Sequence, residues 1–424
     1  MSELTVIEVC AGAGGQALGL EQAGFAHRLA IELDSWAAKT LRSNLGADVV
    51  KEGDVADRTV FNPLDHVGQV DLLAGGVPCP PFSVAGRQLG ASDERDLFAW
   101  AVETASQLEP RALLLENVRG LSAPRFRGYR QHVLDRLKKF GYVAEWRLLH
   151  AADYGVPQLR PRFVLVALRP EDWPFFSWPT RIENTTTVGT SLRDLMAANS
   201  WEHADEWMEM ARGIAPTIVG GSKKHGGADL GPTRAKAAWR LLGVDALGVA
   251  DDAPQQSAPH PSVRLPRLTV GMVARIQGWV REDQRHQVWL ENLAGRKTAQ
   301  YRQIGNAFPP PVARALGDSL ISALRHEKEH EVLPTSSETQ DGIYRVLSAS
   351  RSFLTSELIM EQASEQLTLR QFERRIAHLS EDFHVETRET PGGPAYRISG
   401  FKAFVGQDGH GRHEYMRTHR SRVS

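Results

Sequence analysis

LTVIEVCAGAGGQALGLEQAGFAHRLAIELD (Leu4–Asp34) decides the fold. A short apolar run, LTVIEVC, meets glycines at 12, 14, 15 and 19; a helical stretch near Gln16–Gln22 follows, and a second apolar run, HRLAIEL, carries Glu32. Glycines between a strand and a helix let a ligand approach bare backbone at a helix N-terminus. A carboxylate about 20 residues further on, after the second strand, can hold a ribose hydroxyl pair. A plain tight turn is the competing reading. No P-loop lysine follows the glycines, which argues against a nucleoside triphosphatase.

Outward from this unit the pattern repeats. A helix is expected over Ser35–Asn44, then apolar strands QVDLLAG (69–75), RALLLEN (111–117) and RFVLVAL (162–168). Strands separated by helices predict an α/β, Rossmann-like, doubly wound and mostly parallel sheet. Polar turns, Gly220-Gly221, Gly226-Gly227 and DDAPQQSAPHPS (251–262) interrupt 171–265 with no sustained period, as in an irregular insert. Helical periodicity returns at 268–279 and 311–324, and a polar stretch at 326–340 marks a boundary near 330. The expected division is a core over 1–170, an insert over 171–265, a return to the core over 266–330 and an extension over 331–424. Three short helices and a hairpin in that extension predict a winged-helix-like unit.

The 424 residues suit two to three domains of about 150 residues. With 42% hydrophobic and 24% charged residues the chain has the balance of a globular protein. No run reaches the ~18 apolar residues of a membrane helix, and the N-terminus lacks a signal-peptide pattern, so a soluble cytoplasmic protein with no membrane partner is expected. Net charge is −1. Any nucleic-acid role would need basic groups gathered on one face. Two cysteines exclude a disulfide scaffold, and no metal is expected.

One of those cysteines stands in DLLAGGVPCPPFSVAGR (71–87), fenced by Pro78, Pro80 and Pro81. Prolines stiffen the loop, and a Gly/Pro-rich strand end is where sheet ligand sites lie. Cys79 therefore reads as a nucleophile. Cys10, at the end of an apolar strand, reads as a packing residue. RALLLENVRG (111–120) delivers Glu116 and Asn117 to the same sheet edge, where a carboxyl can act as a general acid. Asp54 is either an adenine contact or a helix N-cap.

Taken in order, PCPPFS (78–83), ENV (116–118), QLRPR (158–162) and YRQIGNAFPPPVA (301–313) resemble the DNA cytosine carbon-5 methyltransferases of bacterial restriction-modification systems over roughly 4–320. The resemblance implies the S-adenosylmethionine-dependent methyltransferase fold and methyl transfer to carbon-5 of a flipped-out cytosine in a specific duplex DNA sequence. It makes Cys79 the nucleophile and Glu116 the acid, with Arg160 and Arg162 on the flipped base and phosphates. It implies S-adenosylmethionine held by Ala11, Gly12, Gly14, Gly15, Glu32, Leu33, Asp54, Val55, Pro78, Asn306 and Ala307. DNA contacts are expected from Ser83, Arg87, Gln158 and Gln303, and the insert becomes the target-recognition region, with Lys223, Lys224 and Arg234 as base-reading candidates. A monomer is expected, with a cognate restriction endonuclease acting on the same site without stable binding. One departure stands out: Cys10-Ala11-Gly12 replaces the family's usual Phe-Ala-Gly, removing an aromatic that packs on adenine. A transfer-RNA methyltransferase on the same core and an inactive DNA-binding regulator are the alternatives. In the extension, Arg370, Arg374 and Arg375, with Arg388, Arg412, Arg417, Arg420 and Arg422, offer phosphate contacts; protein docking is the competing reading.

Overall fold

The computed structural model describes residues 3–78, 95–183, 186–220, 228–279, 284–330 and 341–402. Cys79, Ser83, Arg87, Lys223, Lys224, Arg412, Arg417, Arg420 and Arg422 lie outside them.

Seven strands form the central sheet: β1 (Leu4–Val9), β2 (Phe25–Glu32), β3 (Val50–Glu52), β4 (Leu72–Gly75), β5 (Ala112–Val118), β6 (Val143–His150) and β7 (Pro161–Leu168), ordered β3-β2-β1-β4-β5-β7-β6. The first five in that order are mutually parallel, as expected of β-α-β units. RFVLVAL departs: β7 runs antiparallel to both its neighbours. Only residues 151–160 join β6 to β7, too few for a crossover, so the pair must run antiparallel. The sequence reading missed β6 because Glu145 and Arg147 interrupt its apolar run.

Helices α1 (Gly15–Ala23) and α2 (Ser35–Leu45) follow the first two strands, while α3 (Arg95–Leu108) and α4 (Arg127–Lys139) flank β5. One face of the sheet packs Ile7, Leu73, Leu113 and Leu165 against Phe98, Trp100 and Val133. The other packs Val6, Leu72, Leu114 and Val166 against Leu20 and residues of α11 (Pro310–Leu324), including Val312 and Leu316. The distant α11 thus closes the core opened by β1.

The insert contains α5 (Val188–Met196), α6 (Ala204–Met210) and α7 (Thr233–Leu241), each about two turns long, too short to show a period. Its Trp201, Trp207 and Trp239 share one buried cluster with Met272 of α8 (Val270–Ile276), Trp279, Trp289 of α9 (Gln284–Glu291) and Tyr301 of α10 (Lys297–Asn306).

Beyond 340 come α12 (Gly342–Ala349), β8 (Leu354–Thr355), α13 (Ser356–Ala363), α14 (Leu369–Asp382), β9 (Phe383–Thr390) and β10 (Gly393–Phe401), with the strands in an antiparallel sheet ordered β8-β10-β9. Ile343, Leu347, Ile359, Phe372 and Phe383 give this unit its own core. It docks on α4. His132 Nδ1 lies 2.9 Å from the Tyr344 hydroxyl and its ring 4.2 Å from that of Phe401, and Gly128 leaves room for Leu379. Arg375, expected on a DNA-facing surface, is instead half-buried and paired with Asp341 at 2.8 Å and Glu365 at 3.0 Å.

Candidate active site

The C-terminal ends of β1, β2, β4 and β5 converge on a cavity of about 340 Å³. In open α/β sheets the crevice beyond the strand ends is where ligands bind. Ala11, Gly12, Glu32, Leu33, Asp54, Val55, Pro78, Asn306 and Ala307, all expected at the cofactor, line it, and so does Glu116.

The glycine loop divides its work in a way the spacing did not show. Gly12, at φ +58°, has open space where a Cβ would be and borders the cavity. Gly14 and Gly15, expected at the ligand, do not border it. A Cβ on Gly14 would stand 2.1 Å from the Trp289 ring, and one on Gly15 would stand 2.4 Å from the Phe308 carbonyl. These two let α1 seat against the returning segment. Cys10, read as packing, does pack against the core and, at φ +52°, also lines the cavity.

Glu32 accepts from the Gly12 and Asp34 amides, each at 2.7 Å. Burial pushes its pKa up, and these bonds oppose that shift. A carboxylate has about four acceptor positions, so Glu32 keeps capacity for a ribose hydroxyl. Asp54 caps no helix: it stands in a turn, accepting from the Ala56 amide at 3.1 Å, and lines the cavity. Trp36 also lines the cavity and is 46% exposed, large apolar area left at the rim. Sequence reasoning passed over it. Its signal was ELDSW: Asp34 caps α2, accepting from the Trp36 and Ala37 amides, and so fixes Trp36 in the first turn, four residues after Glu32. A ring edge, an acid pair and an open glycine fit an adenosine-bearing ligand, and the donor set suits S-adenosylmethionine.

At the end of β5, Glu116 Oε1 lies 2.5 Å from Arg162 Nε, both side chains nearly buried. Antiparallel pairing of β5 with β7 sets Arg162 opposite Val118, diagonal to Glu116. Had β7 been parallel, this juxtaposition would not form. Asn117 Nδ2 donates to the Val77 carbonyl at 3.1 Å, tying this strand end to the segment that leads into Pro78.

Three expected contact residues are placed elsewhere. Arg160, 1% exposed, donates to the carbonyls of Ile218, Gly305 and Ala307 at 2.6–2.8 Å. That guanidinium is spent on backbone rather than offered to a base. Gln158 is fully buried and accepts from the Ile218 amide at 2.9 Å. Gln303 accepts from the Thr40 hydroxyl at 2.6 Å and donates to the Ala294 carbonyl at 2.8 Å. Arg160 and Gln158 lie under the surface, while Gln303 also lines the cavity. Arg234 is exposed on α7.

A doubly wound sheet with one reversed strand and a nucleotide-type cavity at its switch point defines the class, the S-adenosylmethionine-dependent methyltransferase fold. The family is narrower. The pattern of the C-5 cytosine-specific DNA methylases matches residues 4–322, so the chain belongs to that family and is a DNA (cytosine-5-)-methyltransferase. It is 59% identical, over the full length of both chains, to the Type II methyltransferase M.NaeI of Lentzea aerocolonigenes. It is 47% identical to the Type II methyltransferase M.NgoMIV of Neisseria gonorrhoeae over 77% of this chain and 99% of that one. A crystal structure of a Spodoptera frugiperda DNMT2 mutant shares the fold at 15% identity, with a TM-score of 0.51 over 75% of this chain and 99% of that one. Among the described residues, no helix is long and apolar enough to cross a membrane.

Proposed function

We propose that the chain methylates carbon-5 of a flipped-out cytosine in a specific duplex DNA sequence through a covalent adduct with Cys79, as the modification enzyme of a restriction-modification system. The observation that carries this reading is the Glu116–Arg162 pair beside the cavity, held on the strand end that Asn117 joins to the root of the Pro78 segment. The full-length relative's name, a Type II methyltransferase, supports the biological setting.

Cytosine carbon-5 is a poor nucleophile. Addition of the Cys79 thiolate at carbon-6 turns the ring into an enamine-like nucleophile, dividing one hard step into easier ones. The Glu116 carboxyl is the group that would donate a proton to ring nitrogen-3 and offset the charge that addition creates. Arg162, paired with it, orients that carboxyl. S-adenosylmethionine, held by Glu32, Asp54, Trp36 and the open side of Gly12, supplies an electrophilic methyl group. Loss of the carbon-5 proton and elimination of Cys79 restore the ring. Rotating the base out of the duplex costs a few kcal/mol.

The test is methyl transfer from labelled S-adenosylmethionine to duplex DNA and to transfer RNA, followed by trapping on DNA containing 5-fluorocytosine, whose fluorine blocks elimination. Label in duplex DNA and a trapped adduct on Cys79 are expected. Cys79→Ser should lose both, because a hydroxyl is rarely ionised at pH 7. Transfer confined to RNA, or a serine variant keeping a tenth of the turnover, would overturn the reading.

A further inference from the structure

The stretch DDAPQQSAPHPS (251–262), which the sequence marks only as irregular, is tied to the chain that leads into α6. Asn199 Nδ2 donates to the Ala253 carbonyl and Trp201 Nε1 to the Ala258 carbonyl, each at 3.1 Å, and Asn199 pairs with Gln255 in an isolated bridge. His260 is thereby brought to the start of α6, where His203 precedes the helix and Glu206 stands in its first turn. The His203 and His260 rings meet edge to face with centroids 4.8 Å apart, and His260 Nε2 is within hydrogen-bond reach of Glu206 Oε2. Two imidazole nitrogens and a carboxylate oxygen, one atom from each residue, lie within 4.8 Å of one another. None of the three residues lines the cofactor cavity.

Two imidazoles with one carboxylate suit Zn²⁺ and its divalent transition-metal neighbours, whereas Mg²⁺ and Ca²⁺ take oxygen donors. In a tetrahedral site with bonds of about 2.0–2.1 Å the donors stand roughly 3.3 Å apart. Modest turns of Glu206 and His260, whose side chains are 63% and 36% exposed, close the three atoms to that spacing and leave the fourth position to water. On the other side of the His260 ring, Nδ1 lies 2.6 Å from the Ser262 hydroxyl. Metal-bound histidines are almost always held by their second nitrogen in this way. A plain histidine–glutamate pair accounts for Glu206 and His260 but gives His203 no part. Cysteine counting, behind the expectation of no metal, does not see this set, because His260 comes 54 residues after Glu206.

We propose that His203, Glu206 and His260 bind one divalent transition-metal ion of the Zn²⁺ class, which staples the 251–262 stretch to α6. The ion adds a cross-link where the stretch otherwise rests on the few hydrogen bonds from Asn199 and Trp201. Because it binds the folded arrangement, it stabilises the chain by mass action, and the melting temperature should rise by a few degrees at a hundredfold excess over Kd. Ser262 orients one ligand and is a positioning residue for the site.

The experiment is calorimetric titration of Zn²⁺ into the untagged full-length protein, stripped beforehand with a chelator. One site per chain is expected. His203→Gln, Glu206→Gln and His260→Gln should each abolish it, and Ser262→Ala, which leaves the three ligands in place, should weaken it by about 10–100-fold. Titration with Co²⁺ should give the visible absorption of a nitrogen and oxygen site; a thiolate charge-transfer band would put the ion on a cysteine and overturn the proposal. Hydrogen exchange of the wild type with and without Zn²⁺ needs no variant, and the amides of 251–262 should exchange more slowly with the ion. Absence of binding, binding that survives all three ligand substitutions, or unaltered exchange in 251–262 overturns the assignment.

Discussion

Arg160 and Arg162 stand two residues apart in QLRPR, and by spacing alone both read as contacts to the target. Their surroundings separate them. Arg160 lies under the surface with its N–H groups on three carbonyls. Removing it leaves buried acceptors unpaired, at about 1–3 kcal/mol each. Arg160→Ala should therefore lower the melting temperature markedly, while the folded fraction keeps much of its turnover. Arg162 pairs with Glu116 at the cavity. Arg162→Ala should lower single-turnover methylation by about 10², the lower end of what a positioned acid contributes, with a smaller loss of stability. Calorimetry and rapid-quench methylation on the two variants check the split. Equal turnover losses at equal stability would show that the hydrogen bonds mislead about their roles. This distinction was not legible in the sequence, since it depends on the partner segments 218 and 305–307, far along the chain.

The same holds among the elements. The strand–glycine–helix–strand unit was legible because each part signals locally, by apolar runs, breakers and a carboxylate at the next strand end. What the glycines do was not, because Gly14 and Gly15 answer to Trp289 and Phe308, nearly 300 residues away. The direction of β7 was equally hidden until β6, with its interrupted apolar run, is placed beside it. The glycine assignment predicts two different failures. Gly12→Ala, at a left-handed φ beside the cavity, should weaken S-adenosylmethionine binding at a strain cost of roughly 1–2 kcal/mol. Gly15→Ala must push Phe308 and Ala307 away and should cost about 1–3 kcal/mol of stability by overpacking. Cofactor titration and thermal melting of each variant separate the two effects; equal loss of cofactor affinity in both would put Gly15 at the ligand after all. Trp36 was present in the sequence as ELDSW, but only the cap at Asp34 and the cavity beyond it give that tryptophan a role.

For the whole molecule, the seating of the extension on α4 gives it a measurable dependence on pH. His132 of α4 is enclosed by Tyr344, Phe383 and Phe401, and burial, aided by Arg136 and Lys139, pushes its pKa down to about 4 from an ordinary 6.5. A depressed histidine is held neutral, so the docked state is fully favoured above about pH 6.5 and loses stability as pH falls from there toward 4. Melting temperature should therefore fall over that window in wild type and fall less in His132→Phe; parallel curves would remove His132 from the cause.

Beyond stability, the DNA contact expected of the extension rests on fewer arginines than the sequence offers. Arg375 is occupied within the unit, while Arg370 and Arg374 of α14 and Arg388 of β9, the last over the Phe353 ring at 4.6 Å, are exposed. The family's pattern stops at residue 322, and a relative matched over 99% of its length pairs with only 77% of this chain. The catalytic core should thus not need the extension. Truncation after about 330 should leave a folded enzyme that methylates DNA, with a lower melting temperature because His132, and Tyr129 with its ring 5.8 Å from that of Phe401, lose their cover. Each phosphate contact contributes about 0.9 to the slope of log affinity against log salt, so loss of Arg370, Arg374 and Arg388, with whatever residues 403–424 add, should make that slope shallower by about 3 or more. Fluorescence anisotropy on a fixed duplex across a salt series reads this directly. An unchanged slope with retained methylation would assign the extension to a protein partner, and an insoluble truncation would make its cover of α4 part of the enzyme's own core.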